Sequence, residues 1–136
     1  MSETSIRLIV ADLDGTLLNS NHEVSPLTAQ AVMAAQEQGV QFTVATGKTF
    51  PSTPAIIRRF GIGIPVICGN GTQVFAPDGT LLHEDPIPLD YAVEAIEMAQ
   101  ARGFTPVVYT LDGLLAPVRD ENVAELVAHH EPEPVI

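Results

Sequence analysis

The chain is poor in the residues that several kinds of functional surface require. It has a single cysteine, Cys68, so no internal disulfide can form. Basic residues are few: six Lys and Arg stand against 17 Asp and Glu, for a net charge of −11. Non-specific nucleic-acid binding needs clustered Lys and Arg and is excluded on that count. The same deficit disfavours an anionic membrane surface. No apolar run approaches the roughly 20 residues needed to span a bilayer. The start, Met1-Ser2-Glu3-Thr4-Ser5, lacks the basic head and apolar core of a signal peptide. A cytoplasmic protein without nucleic-acid or membrane partners is the expectation.

What is present reads as a folded globular domain. Of the 136 residues 46% are hydrophobic, with a mean hydropathy of +0.21. A chain of this length buries roughly two thirds of its unfolded surface. Residues 6–11 form a nearly continuous apolar run, the pattern of a parallel strand buried on both faces. Ser25-Pro26 reads as an N-cap followed by proline at the first helical position. Leu27, Ala31, Ala34 and Ala35 fall on one face of the helix that follows, and Gly39 suits its end. Residues 40–45 make a second strand. Thr53-Pro54 starts a short helix running to Phe60, and residues 64–68 make a third strand. Strand and helix alternating with short connections imply an α/β fold with a parallel sheet.

The pattern then changes. Pro77-Asp78-Gly79 between residues 73–76 and 80–84 is a hairpin signal. Pro86 and Pro88 read as a linker, and Asp90 as the cap of a helix ending at Arg102 before Gly103. Asp112-Gly113 between residues 104–110 and 114–118 marks a second hairpin. A last helix over about 120–130 leads into Glu131-Pro132-Glu133-Pro134, a terminus with no evident structural close.

Ligands of open α/β sheets bind beyond the carboxyl ends of the strands. Here those ends carry Asp12, Asp14 and Thr16 on the first strand, Thr46-Gly47-Lys48 on the second and Gly69-Asn70-Gly71 on the third. Two carboxylates one residue apart repel unless a cation or a shared proton relieves them. One can attack phosphorus to form an acyl phosphate, while the other moves the proton. Oxygen ligands of this kind suit Mg²⁺, which takes one or two carboxylates and keeps several waters. Gly15 permits a tight turn, the Thr16 and Thr46 hydroxyls with nearby N–H groups can hold phosphate oxygens, and Lys48 adds positive charge. Asn70 between glycines is read two ways, as a residue tolerant of left-handed backbone or as a phosphate contact. Cys68 reads as a small buried hydrophobe, and His22, His83, His129 and His130 lack metal-ligand spacing, the last two marking a solvated helix end.

Asp12-Leu13-Asp14-Gly15-Thr16-Leu17-Leu18 resembles the first motif of the haloacid dehalogenase (HAD) superfamily. Ala45-Thr46-Gly47-Lys48, Gly69-Asn70-Gly71 and the Pro77-Asp78-Gly79 hairpin are similar to its Cof-type, type IIB sugar-phosphatase branch. The resemblance implies a Rossmann-like parallel-sheet core, incomplete over residues 1–85, and the first part of an α/β cap over 86–136. It makes Asp12 the nucleophile and Asp14 the general acid/base. Leu13, Gly15, Thr16, Thr46, Gly47, Lys48 and Asn70 become phosphate or substrate contacts, with Mg²⁺ on the Asp12 carboxylate and the Asp14 carbonyl. The implied activity is Mg²⁺-dependent hydrolysis of a small phosphorylated metabolite such as a sugar phosphate. Lys48 stands where the branch has arginine, which keeps charge and removes bidentate geometry. No Gly-Asp-x-x-Asn-Asp pattern follows, so a truncated form lacking the third and fourth motifs is expected. The alternatives are an inert fragment or binding module completed by a second chain, and a phosphomutase-like phosphotransferase. Exposed apolar surface, with self-association or a complementing C-terminal half, is the corresponding expectation.

Overall fold

The computed structural model describes residues 6–136. Strand β1 (Leu8–Ala11) pairs in parallel with β2 (Gln41–Val44), Ile9 opposite Phe42 and Ala11 opposite Val44. Strand β3 (Val66–Cys68) continues this sheet through a parallel bridge between Ala45 and Ile67, closed by the Thr46 amide donating to the Ile67 carbonyl at 2.9 Å. The carboxyl ends of β1, β2 and β3 therefore lie together, as the alternating pattern implied.

Helix α1 (Pro26–Glu37) returns the chain from β1 to β2. Its start is as read: the Ser25 hydroxyl accepts from the Thr28 amide at 3.0 Å, and Pro26 occupies the first turn. Its buried face is not. Ala29 and Val32 pack into the core, while Leu27 is 77% exposed and Ala31 and Ala34 are exposed. Small residues allow close approach of the helix to the sheet, and the rotation that brings Ala29 and Val32 inward turns Leu27 out.

Helix α2 (Pro54–Phe60) follows a 3₁₀ turn at Phe50–Ser52. Thr53 does not cap α2 with its side chain, because its hydroxyl donates back to the Phe50 carbonyl at 2.8 Å. Gly61 ends the helix at φ +57°, a left-handed conformation that glycine adopts without strain. Strands β4 (Gln73–Phe75) and β5 (Leu81–Glu84) form the antiparallel hairpin about Pro77-Asp78-Gly79 and add to the far side of β3. The Thr80 amide and hydroxyl hold the Asp78 carboxyl below its ordinary range and so fix that turn.

Helix α3 (Leu89–Ala101) begins after Pro88, one residue before the expected cap, so Asp90 lies within the first turn. There it faces the positive end of the helix dipole instead of capping an amide. Strands β6 (Val108–Thr110) and β7 (Gly113–Leu115) make the second hairpin, shorter than the sequence suggested. Helix α4 (Glu121–Ala128) is capped by Asp120, whose carboxylate accepts from the Val123 amide at 3.0 Å. Hydrogen bonds from the Thr105 hydroxyl and the Val123 amide hold the Asp120 carboxyl below its ordinary range. Residue 135, expected to lack a structural tie, pairs beside β7: the Val135 amide donates to the Leu114 carbonyl at 2.9 Å and the Val135 carbonyl accepts from the Ala116 amide at 3.1 Å.

One core binds β1, α1, β2, α2, β3 and β4. Leu13, Leu17 and Leu18 from the loop after β1 pack with Val32, Phe42, Val44, Ile57, Phe60, Val66 and Phe75. The Phe42 and Phe60 rings meet edge-on, 5.2 Å between centroids. Strand β1 departs from the reading of burial on both faces. Ile9 and Ala11 pack on the core, but Leu8 and Val10 are each 47% exposed on the opposite face. The helices α1 and α2 cover one side of this sheet only. Among the described residues no helix is long and apolar enough to cross a membrane.

Candidate active site

The loop after β1 is shaped by its own backbone. Leu17 donates to the Asp12 carbonyl at 3.1 Å and Leu18 to that of Leu13 at 2.8 Å, which folds residues 12–18 into a compact turn. Gly15 passes through this turn at φ +73°, where a side chain would be strained. The Leu13 side chain is 1% exposed, so it anchors the loop in the core and can meet a ligand only through its backbone. On either side of it Asp12 and Asp14 project into solvent. The alternation of the backbone separates their roles: one side chain is fixed inward and both acids are left outward.

Asp12, Thr46, Gly47 and Asn70 line a cavity of about 260 Å³ at the carboxyl end of the sheet. The Thr16 hydroxyl lies 3.4 Å from the Asp12 carboxylate. Thr46 is 5% exposed, and its hydroxyl accepts the Lys48 amide at 3.2 Å, which rounds the loop toward Asp12. A Cβ on Gly47 would stand 2.8 Å from the Asn70 amide oxygen, so glycine is what lets Asn70 reach over this loop. Asn70 itself sits at φ +57° and donates its amide to the Thr46 carbonyl at 3.2 Å. Both readings of Asn70 are therefore compatible: the left-handed backbone is what aims the side chain at Gly47.

Asp14 lies on the flank. Its carboxylate meets Lys48 Nζ at 3.3 Å and His22 Nδ1 at 3.3 Å. Lys48 is the only lysine of the chain and its side chain is 10% exposed. Its ammonium also donates to the His129 carbonyl. The His129 ring stacks on His22 at 4.2 Å, so His129 is not the solvated helix end that the sequence suggested. His22, His129 and the buried Glu131 are absent from the sequence-derived set. His22 lies eight residues from Asp14, near enough in sequence to have been weighed, whereas Glu131 reaches Thr49 across 82 residues with no local signal.

A cation at the cavity could take the Asp12 carboxylate, the acidic side chain that lines it, and, as the resemblance implies, the Asp14 carbonyl. No group of three His, Cys, Asp or Glu is placed to hold a metal among the described residues. Two hard oxygens fit Mg²⁺, which is commonly held by one or two carboxylates together with waters and substrate phosphate. Cys68 is no competitor for this chemistry. Burial pushes its thiol up to about 12, with the Glu131 charge adding to the effect.

Known proteins share this sequence and fold. The sequence model for haloacid dehalogenase-like hydrolases matches residues 9–134. Phosphatase YwpJ of Bacillus subtilis (strain 168) is 33% identical over 112 residues, which cover 82% of this chain and 39% of that protein. The solved structure of a haloacid dehalogenase-like hydrolase from B. subtilis superposes with a TM-score of 0.77 at 30% identity, over 89% of this chain and 42% of that one. A subclass IIB sugar phosphatase shares the fold at a TM-score of 0.80 and 20% identity, over 97% of this chain and 52% of its own. The chain spans about two fifths of the length of the curated relatives it matches.

Proposed function

We propose that this chain, which belongs to the haloacid dehalogenase-like hydrolases, acts as a Mg²⁺-dependent phosphomonoester hydrolase on a small phosphorylated metabolite such as a sugar phosphate. The observation that carries the reading is the cavity at the strand ends where Asp12 meets Thr46, Gly47 and Asn70. Residues 1–85 serve as the part of the core that holds the nucleophile, and residues 86–136 as part of a cap.

Asp12 attacks phosphorus, the bond to the leaving oxygen breaks, and that oxygen takes its proton from Asp14. Asp14 then removes a proton from water, which attacks the Asp12 acyl phosphate and releases inorganic phosphate. Thr16 and Thr46 hydroxyls and the Asn70 amide hold the phosphoryl oxygens, and Lys48 supplies the positive charge. His22 and Lys48 fix the orientation of the Asp14 carboxyl from two sides. The Asp12 carboxylate and the Asp14 carbonyl would hold Mg²⁺, which would screen the repulsion between carboxylate and phosphate.

The test is hydrolysis of a chromogenic phosphomonoester with Mg²⁺, followed by chelation. Turnover should fall to background in excess EDTA and return when Mg²⁺ is restored. Turnover indifferent to EDTA rules out the metal, and no turnover in any condition rules out hydrolysis by this chain. A second reading, a phosphate-binding chain that does not turn over alone, is favoured by the single carboxylate, Asp12, that lines the cavity among the described residues. It is distinguished by retained binding of inorganic phosphate without hydrolysis.

Gly47→Ala probes the cavity. The added Cβ displaces the Asn70 side chain, and the fold persists because the clash is with the end of a side chain. Loss of one hydrogen bond to a charged ligand weakens inorganic phosphate binding by roughly 10- to 100-fold. Calorimetric titration giving the same Kd as the parent would remove Asn70 from the phosphate site.

A further inference from the structure

Glu131 is 6% exposed, yet it carries a carboxylate into the body of the protein. Such a group is costly to bury unless donors satisfy it. Here the Thr49 hydroxyl donates at 2.6 Å, the Ser52 hydroxyl at 2.7 Å and the Thr49 amide at 3.3 Å. These donors belong to the segment immediately after Lys48. Two residues before Glu131, the His129 carbonyl takes a hydrogen bond from the Lys48 ammonium itself. The segment that makes these contacts is fixed at both ends. On one side the Glu131 amide donates to the Leu126 carbonyl of α4 at 3.2 Å, and on the other Val135 pairs beside β7. Lys48 is thus held from its backbone neighbour and from its side-chain tip by one short strap, residues 129–131.

We infer that Glu131 is a positioning residue for Lys48. Its carboxylate clamps the Thr49–Ser52 turn, and the clamp together with the His129 carbonyl sets the Lys48 ammonium 3.3 Å from Asp14. The importance of Lys48 rests on the proposed phosphatase reading; the clamp itself does not. A long, flexible side chain with a strongly hydrated charge loses much rotamer freedom when fixed. Holding it in advance removes that cost from the binding of phosphate. The strap belongs to the region assigned as cap, so the phosphate-side charge and that region are tied together through one carboxylate.

The single lysine makes the test local. A lysine-specific protease has one place to cut this chain, Lys48–Thr49, and it reaches that buried bond only when the loop opens. Glu131→Ala should speed this cleavage by roughly tenfold, the factor for a lost hydrogen-bonded charge. Glu131→Gln keeps one carbonyl acceptor and should give only about a threefold rise, as should Ser52→Ala, which removes one of the donors. Cleavage after Arg102 and Arg119 by an arginine-specific protease should stay within about twofold of the parent. Equal cleavage at Lys48 in parent and Glu131→Ala overturns the inference. So does a matching rise at the arginines, since Glu131 would then hold the fold and not the loop. If Glu131→Ala does not fold, Glu131→Gln and Ser52→Ala decide, and no acceleration in either overturns the inference. Cleavage requires no catalysis, so a chain that hydrolyses nothing still gives this answer.

Discussion

Asp12→Asn should lower phosphomonoester hydrolysis by about a thousandfold or more, to the level of the uncatalysed control. The substitution keeps size and shape, and the Thr16 hydroxyl retains an oxygen to contact, so the loop over residues 12–18 survives. What is lost is the anionic oxygen that bonds to phosphorus. An amide oxygen is too weak a nucleophile to form the acyl phosphate, and among the described residues no second carboxylate lines the cavity to replace it. A thousandfold loss corresponds to about 4 kcal/mol of barrier, more than the loss of a single hydrogen bond would produce. The measurement is initial rate of chromogenic phosphomonoester hydrolysis at saturating Mg²⁺, with circular dichroism to establish equal folding. Undiminished turnover in the variant would mean that Asp12 is not the nucleophile.

Phe42→Ala should cost about 3–5 kcal/mol of stability. Phe42 is 3% exposed, opposes Ile9 across the parallel pair and packs edge-on against Phe60 of α2. Removing its ring opens a cavity between the sheet and the helix, where neighbouring Val44 and Ile57 are themselves close-packed and cannot collapse inward. Domains of this size are stable by only about 5–15 kcal/mol, so the loss is a large fraction of the total. The thermal midpoint should fall by roughly 10–20 °C. Leu27→Ala, at a position 77% exposed, serves as the contrast and should move the midpoint by no more than about 2 °C. A shift below about 3 °C for Phe42→Ala would mean that the core does not depend on the β2–α2 contact.

These two positions illustrate what was legible beforehand. Asp12 was identifiable from seven consecutive residues, because the turn that exposes it is made by its own neighbours: Gly15, the Leu17 and Leu18 amides, and the Leu13 side chain that pins it down. Ser25 was readable as a cap for the same reason, since a cap bonds amides only three residues away. The hairpins about residues 77–79 and 112–113 likewise depend on local backbone preference. Asp90 marks the edge of this logic. A helix can start two residues early when Pro88 already has a compatible backbone, and the acid then serves the dipole instead of an amide.

The faces of the elements were a different matter. The spacing of Leu27, Ala31, Ala34 and Ala35 was sound helical geometry, and so is the spacing of Ala29 and Val32, which the fold buries. Periodicity names a set of faces; contact with the sheet chooses among them. In β1 the apolar run suggested burial on both sides, but only Ile9 and Ala11 find partners, leaving Leu8 and Val10 at the surface. Hydrophobicity states a preference for burial and says nothing about which covering layer is present.

By itself the sequence determined the lineage, the acidic loop, the parallel arrangement that gathers three strand ends, and the local devices that start and stop the elements. The loop and the starting and stopping devices rest on interactions within a few residues, where covalent connection sets the geometry, and the parallel arrangement follows from the alternation of strand and helix. Only the tertiary structure decided that Lys48 meets Asp14, that His22 and His129 stack beside it, and that Glu131 clamps the Thr49–Ser52 turn. Those contacts join residues up to 82 positions apart. No local preference encodes such a pairing, because it is produced by how the packed elements place their ends and by the need of a buried carboxylate for donors.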